Sequence, residues 1–219
     1  MKKAPVLTID GPSGAGKGTV SRAVAKQLGW HYLDSGSIYR SLAIAVLEQK
    51  VSPEDEQAVA DIAASMQLEF DCGETLTVFL NGVDIAPKLA TEATGNMASK
   101  IAALPRVRQV LLQKQRDFQR PPGLVADGRD MGSVVFPDAE YKVYLTASAQ
   151  ERAERRYKQL IEKGIHANLE KIRKEIDERD RRDQQRKTAP LVMPGDAYYL
   201  DSSNKPVEQV IEEVLNLIH

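Results

Sequence analysis

Apolar and polar positions alternate along the chain between two rhythms, short runs of β-formers and stretches with helical recurrence. Val6-Leu7-Thr8-Ile9-Asp10 leads into a glycine-rich segment, after which Val20, Ala23, Val24, Ala25 and Leu28 recur at helical spacing. The predicted order is strand, tight loop, helix. Trp30-His31-Tyr32-Leu33 reads as a second short strand ending at Asp34-Ser35-Gly36, and Ile38, Leu42, Ala43, Ala45 and Val46 mark the helix that follows. A second strand-loop-helix unit so soon after the first predicts a parallel sheet covered by helices. Ser52-Pro53-Glu54-Asp55 then supplies an N-cap with proline at the first helical position, ahead of Val59, Ile62 and Ala63.

From residue 67 the rhythm changes. Leu68-Glu69-Phe70 and Thr75–Leu80 read as short strands, and Asn81-Gly82 before Val83-Asp84-Ile85 is a two-residue hairpin signal. Antiparallel hairpins are foreign to a βαβ series, so residues 63–101 are predicted as an inserted subdomain, completed by a helix through Thr91–Lys100. Pro105 starts a long helix that stops before Pro121-Pro122-Gly123. The core resumes with the strand Leu124–Asp127, the loop Gly128-Arg129-Asp130-Met131-Gly132 and the strand Tyr141–Leu145. Ser148-Ala149-Gln150-Glu151 has capping-box spacing. More than half of residues 151–187 are charged, yet Ile161, Ile165, Leu169, Ile172 and Ile176 keep a thin apolar line, and Gly164 divides the region into two helices. Ala197–Leu200 is the last predicted strand. The closing amphipathic helix carries Val207, Val210, Ile211, Val214, Leu215 and Ile218, with Pro206 either its cap or its first residue. The whole reads as one α/β folding unit with one insertion.

The chemistry begins at Gly11, Pro12, Ser13, Gly14, Ala15, Gly16, Lys17, Gly18 and Thr19. Gly11-x4-Gly16-Lys17 fits the Walker A spacing, with glycine at 18 and the hydroxyl one residue later at Thr19. The glycines let the backbone turn its N–H groups inward and deliver a polyphosphate to the positive end of the helix. Lys17 then reaches the outer phosphates as a point charge. Nucleotide-phosphate binding follows.

Thirty Lys and Arg against 31 Asp and Glu give a formal charge of -1, so the average surface gives no general reason to hold a nucleic acid polymer or an anionic membrane. Anionic ligands must be held by locally arranged cations. The lone Cys72 cannot form an internal disulfide, and His31, His166 and His219 have no metal-ligand spacing. With Asp10 and four glycines by residue 18, neither a signal h-region nor a spanning helix opens the sequence, and the cytoplasm is the expected compartment.

Three loops, Gly11–Thr19, Asp34–Arg40 and Asp127–Asp130, gather at the carboxyl edge of the predicted sheet, where open parallel sheets bind ligands. They offer Ser35, Arg40 and Arg129, and the charged helix adds Arg152, Arg155 and Arg156. That surplus of cations suits two phosphorylated substrates facing each other. An acceptor phosphate is already anionic, so phosphoryl transfer between them demands no strong general base. A switch GTPase is excluded, since Asn204-Lys205-Pro206-Val207 fails the guanine pattern at its last position. A motor ATPase needs an apolar strand ending in a magnesium-holding Asp, of which Val125-Ala126-Asp127 is a short version.

With Asp34-Ser35-Gly36-Ser37-Ile38-Tyr39-Arg40, Asp127–Gly132, Pro105–Arg108, Val134–Pro137 and Glu178-Arg179-Asp180-x-x-Asp183-x-x-Arg186 in view, the chain resembles the bacterial cytidylate kinases, nucleoside monophosphate kinases of the P-loop superfamily, over essentially its whole length. The resemblance implies Mg2+-dependent transfer of the ATP γ-phosphoryl to CMP or dCMP. It also implies a parallel-sheet core, an enlarged monophosphate-binding insert and a short mobile lid at 152–168 carrying Arg152, Arg155 and Arg156. Lys17 resembles the phosphate-loop lysine, and Thr19 the Mg2+ contact, direct or through water. Arg40 and Arg129 resemble the clamp on the CMP phosphate, with Ser35 nearby and Arg186 beside the transferred group. Ser99, Arg108 and Asp130 resemble the cytosine readers, and Arg179 and Asp183 the sugar contacts. Taken without the resemblance, Asp183 reads as an i,i+4-type partner of Arg179 or Lys187, and Ser99 as a solvated helix residue. A monomer is expected. Competing readings are a kinase for UMP or AMP and a regulatory protein that holds ATP without a phosphoryl acceptor.

Overall fold

Val6–Asp10 (β1) is buried at all five positions, as a strand with neighbours on both edges and helices on both faces must be. It pairs in parallel with Leu124–Gly128 (β6), Val6 opposite Leu124 and Asp10 opposite Gly128. On its other side it pairs in parallel with Tyr141–Thr146 (β7), which pairs in parallel with Tyr198–Asp201 (β8). With His31–Asp34 (β2) at the far edge, the sheet order is β2-β6-β1-β7-β8. The fold is α/β. The structure is a computed structural model that describes residues 3–72, 76–89, 91–162 and 164–218 of the chain.

Two compact units divide it, Met1–Leu33 with Gln119–His219, and Asp34–Phe118. In the first, Lys17–Leu28 (α1) ends at Gly29, whose φ of 66° lets Trp30 N–H bond back to Ala25 O. The strand expected at Leu124–Asp127 forms as β6, buried throughout and one residue longer, through Gly128. A single π turn follows it at Met131–Val135 (η1), which the apolar pattern did not announce. Ala149–Glu162 (α7) opens with Ser148 Oγ accepting from Glu151 N at 3.2 Å. Beyond its end Gly164 takes φ 72°, and Ile165 N–H reaches back to Leu160 O. Leu169–Gln185 (α8) packs on α7 through Ala153, Ile172 and Ile176, flanked by Tyr157, Leu160 and Ala167. The expected line through Ile161, Ile165 and Leu169 is corrected here: all three are exposed, Ile161 near the end of α7, Ile165 between the helices and Leu169 at the first position of α8, and of the line only Ile172 and Ile176 are buried. Pro206 caps Val207–Leu215 (α9) from outside the helix.

The second unit holds Ser35–Glu48 (α2), Glu56–Ser65 (α3), an antiparallel sheet of Leu68–Cys72 (β3), Leu76–Leu80 (β4) and Val83–Asp84 (β5), then Ala86–Leu89 (α4), Glu92–Ile101 (α5) and Pro105–Arg116 (α6). The hairpin forms as expected, with Asn81 and Gly82 both at positive φ, 50° and 79°. Thr75, predicted to start its second strand, lies outside the described residues. The unit containing this hairpin is wider than the segment 63–101, because α3 packs on α6 and α2 on α5. α3 is capped by Asp55, whose Oδ1 accepts from Ala58 N at 3.0 Å. Ser52 is not the cap: its carbonyl accepts from Asp55 N and closes a turn ahead of the helix. Among the described residues no helix is long and apolar enough to cross a membrane.

Candidate active site

The loop after β1 turns through Gly11 at φ 149°, Gly14 at 80° and Gly16 at 91°, the last capping α1. Gly11 also lies so close to β7 that a Cβ there would fall 1.9 Å from Leu145 O. Gly18 is already helical and takes no part in the turn. Lys17 is the first residue of α1 and buried, its Nζ donating to Pro12 O at 2.9 Å. Burial, reinforced by the Arg129 charge, pushes its ammonium down to about 7, against the pull of Asp127 and Asp10. Thr19 stands exposed in the same first turn. Asp127, near the end of β6, accepts from the Tyr32 hydroxyl at 2.6 Å. A Cβ on Gly18 would lie 3.8 Å from its Oδ2, so a hard carboxylate oxygen stands close to the start of α1.

Beyond β6 the charged side chains pair. Arg129 Nε donates to Asp183 Oδ2 at 2.8 Å, although 54 residues separate them. Burial works against the Arg129 charge, and the Asp183 carboxylate more than offsets it, so the guanidinium is held above its usual range. Burial likewise opposes the charge of Asp183, but Arg129 and Arg179 together hold its carboxyl below the ordinary value. The hydrogen-bonded partner of Asp183 lies on the loop after β6, and the Arg179 charge four residues back along α8 acts on it as well. Asp130 and Arg186 approach to 3.6 Å, both buried, and Arg186 Nε also donates to Ala189 O.

The three arginines of α7 divide. Arg152 is buried, donating from Nε to Ala147 O at 3.0 Å and from Nη1 to Ser13 O at 2.9 Å, with Asp180 Oδ2 at 2.6 Å. It braces the phosphate loop against α8. Arg155 donates to Ser202 O at 2.7 Å and Ser202 Oγ at 3.1 Å, and that hydroxyl lies 3.2 Å from Ala15 O. Arg156 is half-buried.

In the second unit, Asp34 caps α2 by accepting from Ser37 N at 3.0 Å, which puts Ser35 and Arg40 on that helix's first two turns. Ser35 Oγ donates to Gln115 Oε1 at 2.8 Å, and Arg40 Nη1 to Leu89 O at 2.9 Å. Arg108, buried on α6, donates to Ala102 O at 3.1 Å and stacks its guanidinium 5.7 Å from the Tyr39 ring centroid. Ser99 is buried on α5 rather than solvated, and its Oγ has no hydrogen-bond partner among the described residues. A buried hydroxyl of that kind costs free energy unless something bonds to it.

Four residues of consequence escaped the sequence reading. Gln115 and Tyr39 carry no local signal. Asp180 is legible only as the second carboxylate on the Asp183 face of α8, three residues away. Asp10 does carry a signal, a carboxylate closing an otherwise uncharged strand. Its Oδ1 accepts from Met131 N at 2.8 Å and Oδ2 from Gly132 N at 2.7 Å.

Comparison with known proteins accords with this arrangement. The family described as cytidylate kinase matches residues 7–219. A cytidylate kinase of Methylococcus capsulatus is 59% identical over 98% of this chain and 96% of its own. One from Aeromonas salmonicida is 54% identical over 97% and 93%. The solved structure of an uncharacterized protein from Eubacterium ventriosum, 12% identical, superposes over 99% of this chain and 98% of its own with a TM-score of 0.50, a likeness of fold alone. With a family match over nearly the whole length and relatives sharing more than half its residues, the chain belongs to the cytidylate kinase family.

Proposed function

We propose that the chain transfers the γ-phosphoryl group of ATP to CMP and dCMP, giving CDP and dCDP. One observation carries the reading: β1 and β6 are parallel neighbours, so the phosphate loop after β1 and the Arg129-Asp130 loop after β6 leave the sheet at the same edge. The Gly11–Thr19 loop takes the ATP phosphates. Arg129 and Arg40 take the CMP phosphate, with Ser35 beside them, and Lys17 and Arg186 neutralise the group in transit. The acceptor oxygen arrives already anionic, so alignment and charge neutralisation suffice and no histidine base is required.

Asp130 accepts from the cytosine N4 amino group and repels the carbonyl that uracil carries there. Ser99 and Arg108 bond the remaining ring edge, which gives the orphan Ser99 hydroxyl a partner. Arg179 and Asp183 hold the sugar, Asp183 by accepting from a hydroxyl. Arg155 and Arg156 close over the donor phosphates as parts of a lid at 152–168, and Arg152 fixes the root of that lid on Ser13. Residues 63–101 form the monophosphate-binding insert. Thr19 and Asp127 are oxygen donors of the kind Mg2+ selects, and fit an ion that shares its remaining positions with phosphate and water. Bound there, the ion supplies charge neutralisation to the triphosphate. The enzyme is placed in the cytoplasm, acts as a monomer, and takes neither nucleic acid polymer nor membrane as partner.

A coupled assay with MgATP against CMP, dCMP, UMP, AMP and GMP tests the proposal. CMP and dCMP are expected to turn over well and UMP poorly, and equal use of UMP would remove the role given to Asp130. Asp130→Asn is expected to relax the base preference. Lys17→Ala is expected to lower kcat by about a hundredfold or more at saturating substrates; unchanged kcat would exclude Lys17 from the transition state.

A further inference from the structure

Asp10 ends β1 directly opposite Gly128 in the parallel ladder with β6. After Gly128 the chain runs through Arg129 and Asp130, and the next two backbone N–H groups, of Met131 and Gly132, both return to the Asp10 carboxylate. We infer that Asp10 is a positioning residue for recognition of the monophosphate: one side chain, using both oxygens, fixes the far end of the Arg129-Asp130 dipeptide while the strand ladder fixes the near end. The inference rests on the proposed reading of Asp130 as the cytosine reader.

The chemistry at this junction calls for a carboxylate. Two adjacent donors aim at one residue, and only an ionised carboxylate offers them two acceptor oxygens without a competing donor. Asn would satisfy one N–H and set its own NH2 against the other. Asp10 is 1% exposed, so water cannot make good the loss. The turn is held downstream as well, Asp130 O accepting from Val134 N at 2.9 Å and Val135 N at 3.1 Å. Gly132 leaves no slack: a Cβ there would lie 2.8 Å from Thr8 Oγ1 and 3.4 Å from Asp10 Oδ2. Burial pushes the Asp10 carboxyl up to about 6 against the two N–H groups that favour its charge. At neutral pH the chain thus keeps an ionised group buried despite the cost of its desolvation, and holding the two amides that follow Arg129-Asp130 is what that charge achieves.

Asp10→Asn, with fold checked by circular dichroism and thermal unfolding, is the direct test. The KM for CMP is expected to rise and the CMP-over-UMP preference to fall, each by about tenfold, the equivalent of one charge-assisted hydrogen bond. The KM for MgATP is expected to stay within about twofold, a split that a general loss of structure would not produce. Asp130→Asn measured alongside separates the two ideas. If it leaves base preference intact, the reading of Asp130 fails; if it abolishes the preference and folded Asp10→Asn preserves it, the inference about Asp10 fails alone. Gly132→Ala strains the same junction with Asp10 intact and is expected to give the same CMP-selective loss.

Should neither variant fold, the natural chain decides. The Met131 and Gly132 amide protons should shift together as the Asp10 carboxyl takes up a proton near pH 6. The ratio of UMP to CMP dissociation constants, in which phosphate ionisation common to both cancels, should fall over the same interval. Asp130, Lys17 and Tyr144 are the titratable groups that interact with Asp10, and their side-chain resonances followed in the same titration assign the transition. A ratio that stays flat while Asp10 titrates overturns the inference.

Discussion

Burial sets the charge of Lys17 against its task. The side chain must be cationic to draw phosphate oxygens together, yet desolvation and Arg129 bring its ammonium down to about 7. Its folded value thus lies below that of the unfolded chain, where the ordinary value is 10.5. Between those limits the unfolded state binds more protons, so the contribution of Lys17 to stability grows as pH rises through that window and is least at and below neutrality. A triphosphate beside the amine reverses the balance and favours its charged form. MgATP binding near pH 7.5 is therefore expected to draw up to about one proton from solution. Titration calorimetry in buffers of differing ionisation enthalpy measures that uptake, and Lys17→Met should lack it. Equal uptake in the variant would place the proton elsewhere. The position of Lys17 was legible because three glycines and a lysine at fixed spacing dictate a loop. Its altered charge was not, since Asp127 and Arg129 reach it from the end of β6 and the loop after it, more than a hundred residues later in the chain.

Helix starts show what local sequence does and does not determine. Asp34, Asp55, Thr91 and Asn168 each accept from a backbone N–H three residues on, a bond made within four residues and therefore readable from the chain. Two plausible caps in tandem, Ser52 and Asp55, compete before α3, and the carboxylate prevails while Ser52 closes the preceding turn. Asp55→Ala is expected to cost about 1 kcal/mol in urea unfolding and Ser52→Ala less than about half that. The reverse order would restore Ser52 as the cap. The strands along the chain and the antiparallel hairpin were readable for the same local reason, short runs of β-formers and an Asn-Gly turn, whereas the sheet order β2-β6-β1-β7-β8 was not, because it rests on pairing between distant segments. The π turn at Met131–Val135 was not readable either, and the group that satisfies its first two amides, the Asp10 carboxylate, lies more than a hundred residues away in the chain. The pairs Arg129–Asp183 and Asp130–Arg186 were hidden similarly: which arginine meets which carboxylate depends on α8 returning to the edge of β6.

At the scale of the molecule, a formal charge of -1 coexists with arginines concentrated after β6 and along α7 and α8. The carboxylates that balance them, Asp130, Asp180 and Asp183, are interleaved with them in the same segments, so affinity for anions is local and a nearly neutral average conceals it. The chain's division into two units gives the proposed assignments a test that no single substitution provides. ATP is assigned wholly to the first unit, through residues 11–19, Arg155 and Arg156. CMP is assigned to residues of both, Arg129, Asp130, Arg179, Asp183 and Arg186 of the first and Ser35, Arg40, Ser99 and Arg108 of the second. Amide hydrogen exchange reads local opening, and a ligand protects the segments whose closed form it binds. MgATP alone is therefore expected to slow exchange at the start of α1 and to leave α5 and α6 unchanged. CMP alone is expected to slow exchange at Met131–Val135 and also in α2, α5 and α6. Loss of the second effect in Ser99→Ala together with Arg108→Ala, with protection at Met131–Val135 retained, would tie protection of α5 and α6 to those two side chains. Protection by CMP confined to the first unit would strip Ser35, Arg40, Ser99 and Arg108 of their assigned roles and leave base recognition to Asp130 alone.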